Sequence, residues 1–217
     1  MKKILILILV LLPSFSFAEE LYQVTLLRAA PGNFPELIQQ VKDYKKQQQG
    51  QLSIMRHSQG DHWDLMLLEP AGKTPYRPHD FRALADFQET FLAKSNTAWS
   101  QLKQRSDNNE AYHIEMFQAL HGQVKNLSYE REMENQYLAL TQRPSNEIFE
   151  TLMGSDVDIF TIGYHKDLKS FAKDPELASE VFEKAAVTAG FKNRSEISFY
   201  LRQLILAHHD TLATAVK

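Results

Sequence analysis

The chain contains the same run of predicted elements twice, and this internal repeat limits its possible folds more than any other sequence feature. Strand-like residues 22–29 lead through a Pro-Gly turn into a helix, and strand-like residues 112–120 lead past Gly122 into another. WDLMLL at 63–68 matches VDIFTI at 157–162, aspartate on aspartate and apolar on apolar. The order strand, helix, strand, turn, strand, helix therefore recurs at an offset of about 90 residues, which indicates internal duplication.

Each repeat predicts an α+β unit. Strands and helices in a βαββα order are typical of an antiparallel sheet with helices on one face. The other face must also be buried, so we expect the two sheets to pack together and close a barrel within one chain. The first repeat is predicted over residues 19–110 and the second over 111–217. Apolar spacing further predicts long helices at 80–105 and 196–208, and a last strand at 211–216.

The first 18 residues have the pattern of a secretory signal peptide. Lys2 and Lys3 precede an unbroken apolar run at 4–12, and Ser16 and Ala18 are the small residues that signal peptidase requires. The run is too short to span a membrane, which takes about 20 apolar residues. We therefore expect cleavage after Ala18, a mature chain in the periplasm or outside the cell, and no membrane contact after cleavage.

The composition excludes several partners and mechanisms. When Lys2 and Lys3 leave with the signal peptide, 24 basic residues become 22 against 27 acidic ones, and the formal charge moves from −3 to −5. Nucleic acids and anionic membranes bind basic surfaces, so neither is an expected partner. The chain has no cysteine, which excludes disulfides and thiol catalysis. An exported protein without cysteine fits a Gram-negative periplasm better than a eukaryotic secretory route.

The duplicated pattern resembles the dimeric α+β barrel superfamily, whose members have a ferredoxin-like fold and pair two sheets into a barrel. The start YQVTLLRAAPGNFPELIQQ is similar to the strand, Lys-Pro-Gly turn and helix of its NIPSNAP-like group, and HIEMFQALHG looks like a second copy of that start. The resemblance implies two ferredoxin-like repeats in one chain. The superfamily includes monooxygenases, haem-degrading enzymes and isomerases, so the resemblance implies no particular reaction and transfers no catalytic motif.

The motifs GxGxxG, HExxH and GxSxG and the P-loop are all absent. Candidate sites must therefore be sought among individual residues, and the strongest candidate is on the strand at 112–120. His113 and Glu115 lie on one face of this strand. The other face, with Tyr112, Ile114 and Met116, is apolar and predicted to pack on helices, so His113 and Glu115 are predicted to point into the barrel. Such a pair can exchange a proton or hold a metal. Alternatively, the two side chains only hydrogen-bond each other, or they lie at a hydrated mouth of the barrel.

The segment AHHDT at 207–211 is a second candidate. In the predicted helix 196–208, His208 lies on the buried side and His209 lies about 100° away, so His209 is excluded from a shared site. His208 and Asp210 are predicted to face the same cavity as His113 and Glu115. The ordinary alternative is that a histidine at a helix C-terminus suits the helix dipole and Asp210 turns the chain.

Two functions are compatible with these observations. The first is an exported protein that binds a small molecule in the barrel cavity, as an acid–base or oxygenase-like enzyme. Its cofactor is unknown, because neither a divalent metal nor haem iron has a ligand motif behind it. The second is a non-catalytic interaction protein, with a barrel filled by Phe, Met and Leu, that acts through its surface or by oligomerising. Apolar packing around His113 would argue against the enzyme.

Overall fold

The computed structural model describes residues 19–72 and 78–217, and the predicted signal peptide lies outside them. Over the described residues the chain forms eight strands and six helices, in the order β1 (Glu20–Ala29), α1 (Phe34–Gln47), β2 (Ser53–Gln59), β3 (Leu65–Pro70), β4 (Ala85–Ser95), α2 (Trp99–Asn108), β5 (Ala111–Ala119), α3 (Val124–Leu140), β6 (Glu147–Met153), β7 (Ile159–His165), α4 (Leu168–Phe171), α5 (Ser179–Thr188), α6 (Glu196–Arg202) and β8 (Ile205–Ala215). None of the described helices has the length and apolar character that crossing a bilayer requires.

The strands form one closed antiparallel barrel in the order β1-β3-β2-β8-β5-β7-β6-β4. Strands β1 to β4 make one half, ordered β4-β1-β3-β2, and strands β5 to β8 make the other, ordered β8-β5-β7-β6. The two halves thus share one topology, and they join where β2 pairs with β8 and β4 pairs with β6. The predicted fold, two ferredoxin-like repeats forming an α+β barrel within one chain, is confirmed. The boundary between residues 110 and 111 stays a prediction.

The barrel interior is a continuous apolar core to which all eight strands contribute. Tyr112, Ile114 and Met116 of β5 belong to it, and the rings of Phe149 and Phe160 stack within it with centroids 4.5 Å apart. An eight-stranded barrel is just wide enough for side chains to fill it. One face of each strand is therefore buried in the barrel interior, and the other face is available to pack against the helices.

Helices α1 and α3 each cover the outer face of one half. Under α1, Val41 packs in one cluster with Leu27 of β1. Under α3, Leu127 packs in one cluster with Phe117 of β5 and Ile159 of β7. Because side chains alternate along a strand, the face of β5 that carries Phe117 lies outside the barrel and beneath α3.

Two of the predicted helices are wrong in part. Residues 80–105 contain strand β4 before α2 begins, and residues 196–208 contain the short α6 followed by the start of β8. In β4, Phe87 and Phe91 are four residues apart, a spacing that places both on one face of a helix and also on one face of a strand. In the second segment, α6 ends at Arg202 and the chain turns directly into β8, which also includes residues 211–215 of the predicted last strand.

Candidate functional site

The four predicted site residues lie together, but on the outer face of the second half. His113 and Glu115 belong to β5 and His208 and Asp210 to its neighbour β8, where Glu115 pairs with Asp210 and Phe117 pairs with His208. The prediction that His113 and Glu115 point into the barrel is therefore wrong. Strands enclose the interior on all sides, so it takes the more apolar face of β5, whereas the face beneath α3 can meet polar side chains from that helix.

The segment AHHDT lies within strand β8 and not at the end of a helix. Because side chains alternate in a strand, His208 and Asp210 share the outer face and His209 points to the other side. There, Nδ1 of His209 lies 3.9 Å from Oδ1 of Asp61 in the turn between β2 and β3. His208 and Asp210 do lie beside His113 and Glu115, as predicted. The reason is the alternation of side chains along a strand and not the helical spacing on which the prediction was based.

His113 and Asp210 form the central pair of the group. Nε2 of His113 lies 3.3 Å from Oδ1 of Asp210, and Nε2 of His208 lies 3.1 Å from Oδ2 of the same carboxylate. Glu115 accepts a hydrogen bond of 3.1 Å from the hydroxyl of Thr161 on β7. One ligand atom each from His113, Glu115 and Asp210 lies within 4.8 Å of the other two. This spacing also suits a divalent cation, whose nitrogen and oxygen ligands lie about 2 Å from it.

Arg131 of α3 supplies the positive charge beneath these carboxylates. Its side chain is 2% exposed and donates hydrogen bonds of 2.7 and 2.8 Å to both oxygens of Glu130. The same guanidinium lies 2.5 Å from Glu134 and 3.8 Å from Glu115, and it stacks 4.9 Å above the ring of Phe117. Burial lowers the pKa of Arg131, but the carboxylates outweigh burial, with Glu134 the largest opposing influence, and the pKa is raised. The guanidinium therefore stays charged and holds three carboxylates in one place.

The surroundings shift the pKa values of the central pair apart. Burial lowers the pKa of His113, but the hydrogen bond to Asp210 and the charges of Glu115, Asp210 and Glu134 outweigh it, so the pKa is raised above 6.5. The hydrogen bond from His113 is also the main reason why the pKa of Asp210 is lowered. Burial raises the pKa of Glu115, and the charge of Glu134 adds to the rise. An imidazolium at His113 and a carboxylate at Asp210 thus stabilise each other.

His113 and Glu115 line a cleft of about 540 Å³ at the edge of α3. Phe171 of α4 lies across it, with its ring centroid 5.1 Å from that of His113 and 5.2 Å from that of His165. More acidic than basic side chains line the cleft. They are Glu115, Glu134, Asp174 and Glu176 against Arg143 and Lys173.

The sequence interpretation missed several residues of this cleft, including His165 at the end of β7 and Asn146 in the turn before β6. It also missed Arg131, because nothing in the sequence distinguishes this residue from the other charged residues of the same helix. A signal was available in the internal repeat. The match of WDLMLL with VDIFTI places Gly163 at the position of Glu69 in the first half, and a glycine inside a strand marks a close approach of other groups.

Comparison with known proteins shows the fold. By sequence, no protein-family model matches the chain and no curated protein is similar to it. By structure, the chain is similar to an anthrone oxidase-like protein, with a TM-score of 0.52 and 9% identity over 91% of this chain and 92% of that chain. It is also similar to a chlorite dismutase-like protein, with a TM-score of 0.54 and 12% identity over 91% of this chain and 95% of that chain. Both neighbours have the fold of the dimeric α+β barrel superfamily, and at such identities the likeness shows the fold alone.

Proposed function

We propose that this protein binds a small organic molecule in the cleft beside α3 and acts on it by acid–base catalysis through His113. The observation that carries the proposal is the position of His113, at the wall of a cleft of about 540 Å³ with Asp210 3.3 Å behind its Nε2. Imidazole exchanges its proton near neutral pH, and a carboxylate partner orients the ring and stabilises its charged form. Glu115 then contributes a buried negative charge beside the same ring.

Three narrower statements belong to the same proposal. The pattern of residues 1–18 supports export, with the mature chain working in the periplasm or outside the cell. The strand, turn and helix at the start of each repeat support a relationship to the NIPSNAP-like group. The likeness to an anthrone oxidase-like protein is in keeping with oxygenase-like chemistry on a small molecule, and a bound small molecule is the expected partner.

Haem does not fit the cleft, whereas a divalent cation is an alternative that can be tested. A porphyrin is a broad apolar plate, and the walls formed by the described residues carry four carboxylates, so no step is assigned to haem. The convergence of His113, Glu115 and Asp210 within 4.8 Å favours the cation. A cation bound to His113 needs a ring nitrogen without its proton and prevents the imidazolium from forming, so the two alternatives exclude each other.

The proposal can be tested by ligand-observed NMR with the purified mature chain and a library of small ketones, phenols and amines. We expect a subset of fragments to bind the natural protein and the His209→Ala variant, whose changed side chain lies outside the cleft, but not the His113→Ala variant. Circular dichroism of each variant checks that it folds. If no fragment binds, or if binding survives His113→Ala, the cleft is not the site. The non-catalytic alternative, which the filled barrel interior favours, then takes its place.

The same variants decide the cation alternative. Acid–base catalysis predicts that titration with Zn²⁺ or Mn²⁺, followed by isothermal calorimetry, gives no stoichiometric binding. One equivalent of either metal, lost in His113→Ala and retained in His209→Ala, would replace the acid–base proposal with a metal site.

A further inference from the structure

We infer that His165 is a second proton-transfer residue of this site, and that it works with His113 on an uncharged carbonyl compound that can form an enol. The inference rests on the proposed function, because it names the partner of His113 in the same cleft and the class of substrate.

Gly163 is the reason why the two imidazoles come together. It pairs with His113 between β5 and β7, and His165 follows two residues later on the same face of β7. A Cβ atom on Gly163 would lie 3.0 Å from Nε2 of His165, 3.6 Å from Cβ of His113 and 2.7 Å from Oδ1 of Asn146. A side chain at this position would therefore displace Asn146 and His165, while His113 lies at an ordinary contact distance.

Asn146 completes the polar wall, and α3 fixes its position. The side-chain amide of Asn135 donates a hydrogen bond of 2.8 Å to the carbonyl of Asn146 and accepts one of 2.7 Å from its backbone N–H. This reciprocal pair holds the backbone of Asn146. Its own carboxamide lines the cleft and makes no hydrogen bond to another described residue, which leaves it available to a polar atom of a ligand.

The two imidazoles differ in their charged neighbours. His113 faces the carboxylates of Asp210, Glu115 and Glu134, which favour its imidazolium form. His165 lies beside Phe171, and burial lowers its pKa, with further lowering from the charges of His113 and Arg143. Two titratable groups whose surroundings shift their pKa values in opposite directions are suited to serve as an acid and a base in one site. His113 is then the proton donor and His165 the proton acceptor.

The cleft selects an uncharged substrate. Glu115 and Glu134 repel anions, and Arg143 and Lys173 repel cations. Phe171 offers a flat apolar surface beside both imidazoles. In the step we infer, the neutral nitrogen of His165 takes a proton from the carbon next to a carbonyl group. The electron pair of that C–H bond forms the C=C bond of the enol while imidazolium at His113 gives its proton to the carbonyl oxygen. The step changes no oxidation state and needs no co-reactant.

The experiment follows deuterium exchange at the carbon next to the carbonyl group of 1-indanone, a planar uncharged ketone, by proton NMR in D₂O. We expect the natural protein and His209→Ala to accelerate exchange above the buffer rate, and His165→Ala and His113→Ala each to return it to the buffer rate. Gly163→Ala should slow exchange about tenfold or more, because displacing the reacting groups by a fraction of an ångström is costly. In Asp210→Asn, the limb of the pH–rate profile that reports His113 should move to lower pH.

Each failure has its own meaning. Exchange no faster with the natural protein than in buffer would overturn the inferred carbonyl chemistry. Exchange as fast in His165→Ala as in the natural protein would overturn the role of His165, while fragment binding that still depends on His113 would leave the proposed function intact. Where His165→Ala does not fold, His165→Gln keeps most of the side-chain volume, lacks the proton transfer, and carries the same expectation.

Discussion

The outer faces of the two halves share a backbone and differ in chemistry. In the first half Gln23 pairs with Glu69 across β1 and β3, and in the second half His113 pairs with Gly163 at the equivalent place. Glu69 accepts hydrogen bonds of 2.6 Å from Gln23 and 3.0 Å from Tyr44 of α1, so this part of the first half is closed and its polar groups are paired. In the second half the glycine admits His165 and Asn146 instead.

The two halves also differ in chemistry at other equivalent positions. Thr25 and Thr90 face each other with their hydroxyl oxygens 3.2 Å apart, where the second half has Glu115 and Asp210. Val41 and Arg131 are the eighth residues of α1 and α3. In the first half, one carboxylate and its hydrogen-bonded neighbours thus form a structural face. In the second half, several ionisable groups come together and form the candidate site.

The largest effect on stability is expected when Arg131 is replaced by valine, the residue at the equivalent position of the first half. Arg131→Val leaves Glu130, which is 0% exposed, without its bidentate partner, and breaking a buried pair in this way costs about 3–5 kcal/mol. Urea unfolding at pH 7 measures the loss. In Glu130→Gln with Arg131→Val, which copies Gln40 and Val41 of the first half, we expect part of the stability to return. A loss below about 1 kcal/mol for the single variant would mean that the guanidinium does not hold the carboxylates together.

The next effect is expected in the first half, at Tyr44. Tyr44→Phe removes a hydroxyl that donates to the buried carboxylate of Glu69, and a hydrogen bond to a charged group contributes about 1.5–3 kcal/mol. Tyr129→Phe, at an exposed tyrosine, is the matched control.

The pH dependence of the loss of stability in Tyr44→Phe tests whether the carboxylate of Glu69 is responsible for it. Burial raises the pKa of Glu69 above 4.5, and the hydrogen bonds from Tyr44 and Gln23 oppose the rise. A raised pKa means that protonated Glu69 favours the folded state, a contribution complete below pH 4.5 and lost as the pH rises through the folded-state pKa. Without the hydroxyl the pKa rises further, so the deficit of Tyr44→Phe should shrink below pH 4.5. A deficit independent of pH would contradict the role of the carboxylate.

A smaller effect on stability is expected at Asp210. Asp210→Asn should lower the pKa of His113, because the hydrogen bond and charge that raise it are lost, and the Hε1 resonance of His113 measures the change. The raised pKa of His113 stabilises the fold fully below pH 6.5 and less as the pH rises through the folded-state value. The loss of stability, below about 1 kcal/mol because Asp210 is half exposed, should therefore be present at pH 6.5 and disappear as the pH rises through the folded-state pKa of His113. Thr90→Val in the first half should leave His113 unchanged, and an unmoved resonance in Asp210→Asn would show that the pair does not form.

The smallest effect is expected at a surface position. Arg28 pairs with Asp86 at 2.8 Å with both side chains exposed, and Gln118, its equivalent, donates to Asp156. Exposed ion pairs contribute about 0–1 kcal/mol, so Arg28→Ala should change the free energy of unfolding by less than about 0.5 kcal/mol, as Gln118→Ala should. A larger and salt-insensitive loss at Arg28 would show that this face of the first half carries more than packing.

The sequence predicted the fold because the repeat and the two-residue alternation are local signals. Strand β5 has that alternation, and it begins and ends within one residue of the predicted strand at 112–120. Strand β4 was missed because the four-residue spacing of Phe87 and Phe91 suits a helix and a strand equally. Strand β8 was shortened because Leu201, Leu204 and Ile205 continue the helical spacing of α6 across a turn.

The candidate site was predicted by residue but placed on the wrong side of the sheet. The contrast between the polar and the apolar face of β5 was visible in the sequence, but the two faces were assigned the wrong way round. The closed barrel that encloses the apolar face depends on all eight strands and not on β5 alone. The contacts of Arg131, His165 and Asn146 come from pairing between segments that are distant along the chain. Their individual residue types are ordinary for a helix, a strand end and a turn.

The joining of both halves in one polypeptide has a consequence for how such a site can arise. In a barrel made of two identical chains, each substitution occurs on both outer faces, so a buried arginine or a glycine inside a strand weakens the assembly twice. Here the two halves are encoded by separate parts of one gene, so a substitution changes only one of them. One outer face can accumulate buried charged residues while the other keeps the barrel closed, so covalent fusion allows asymmetry that a symmetric pair cannot reach by mutation.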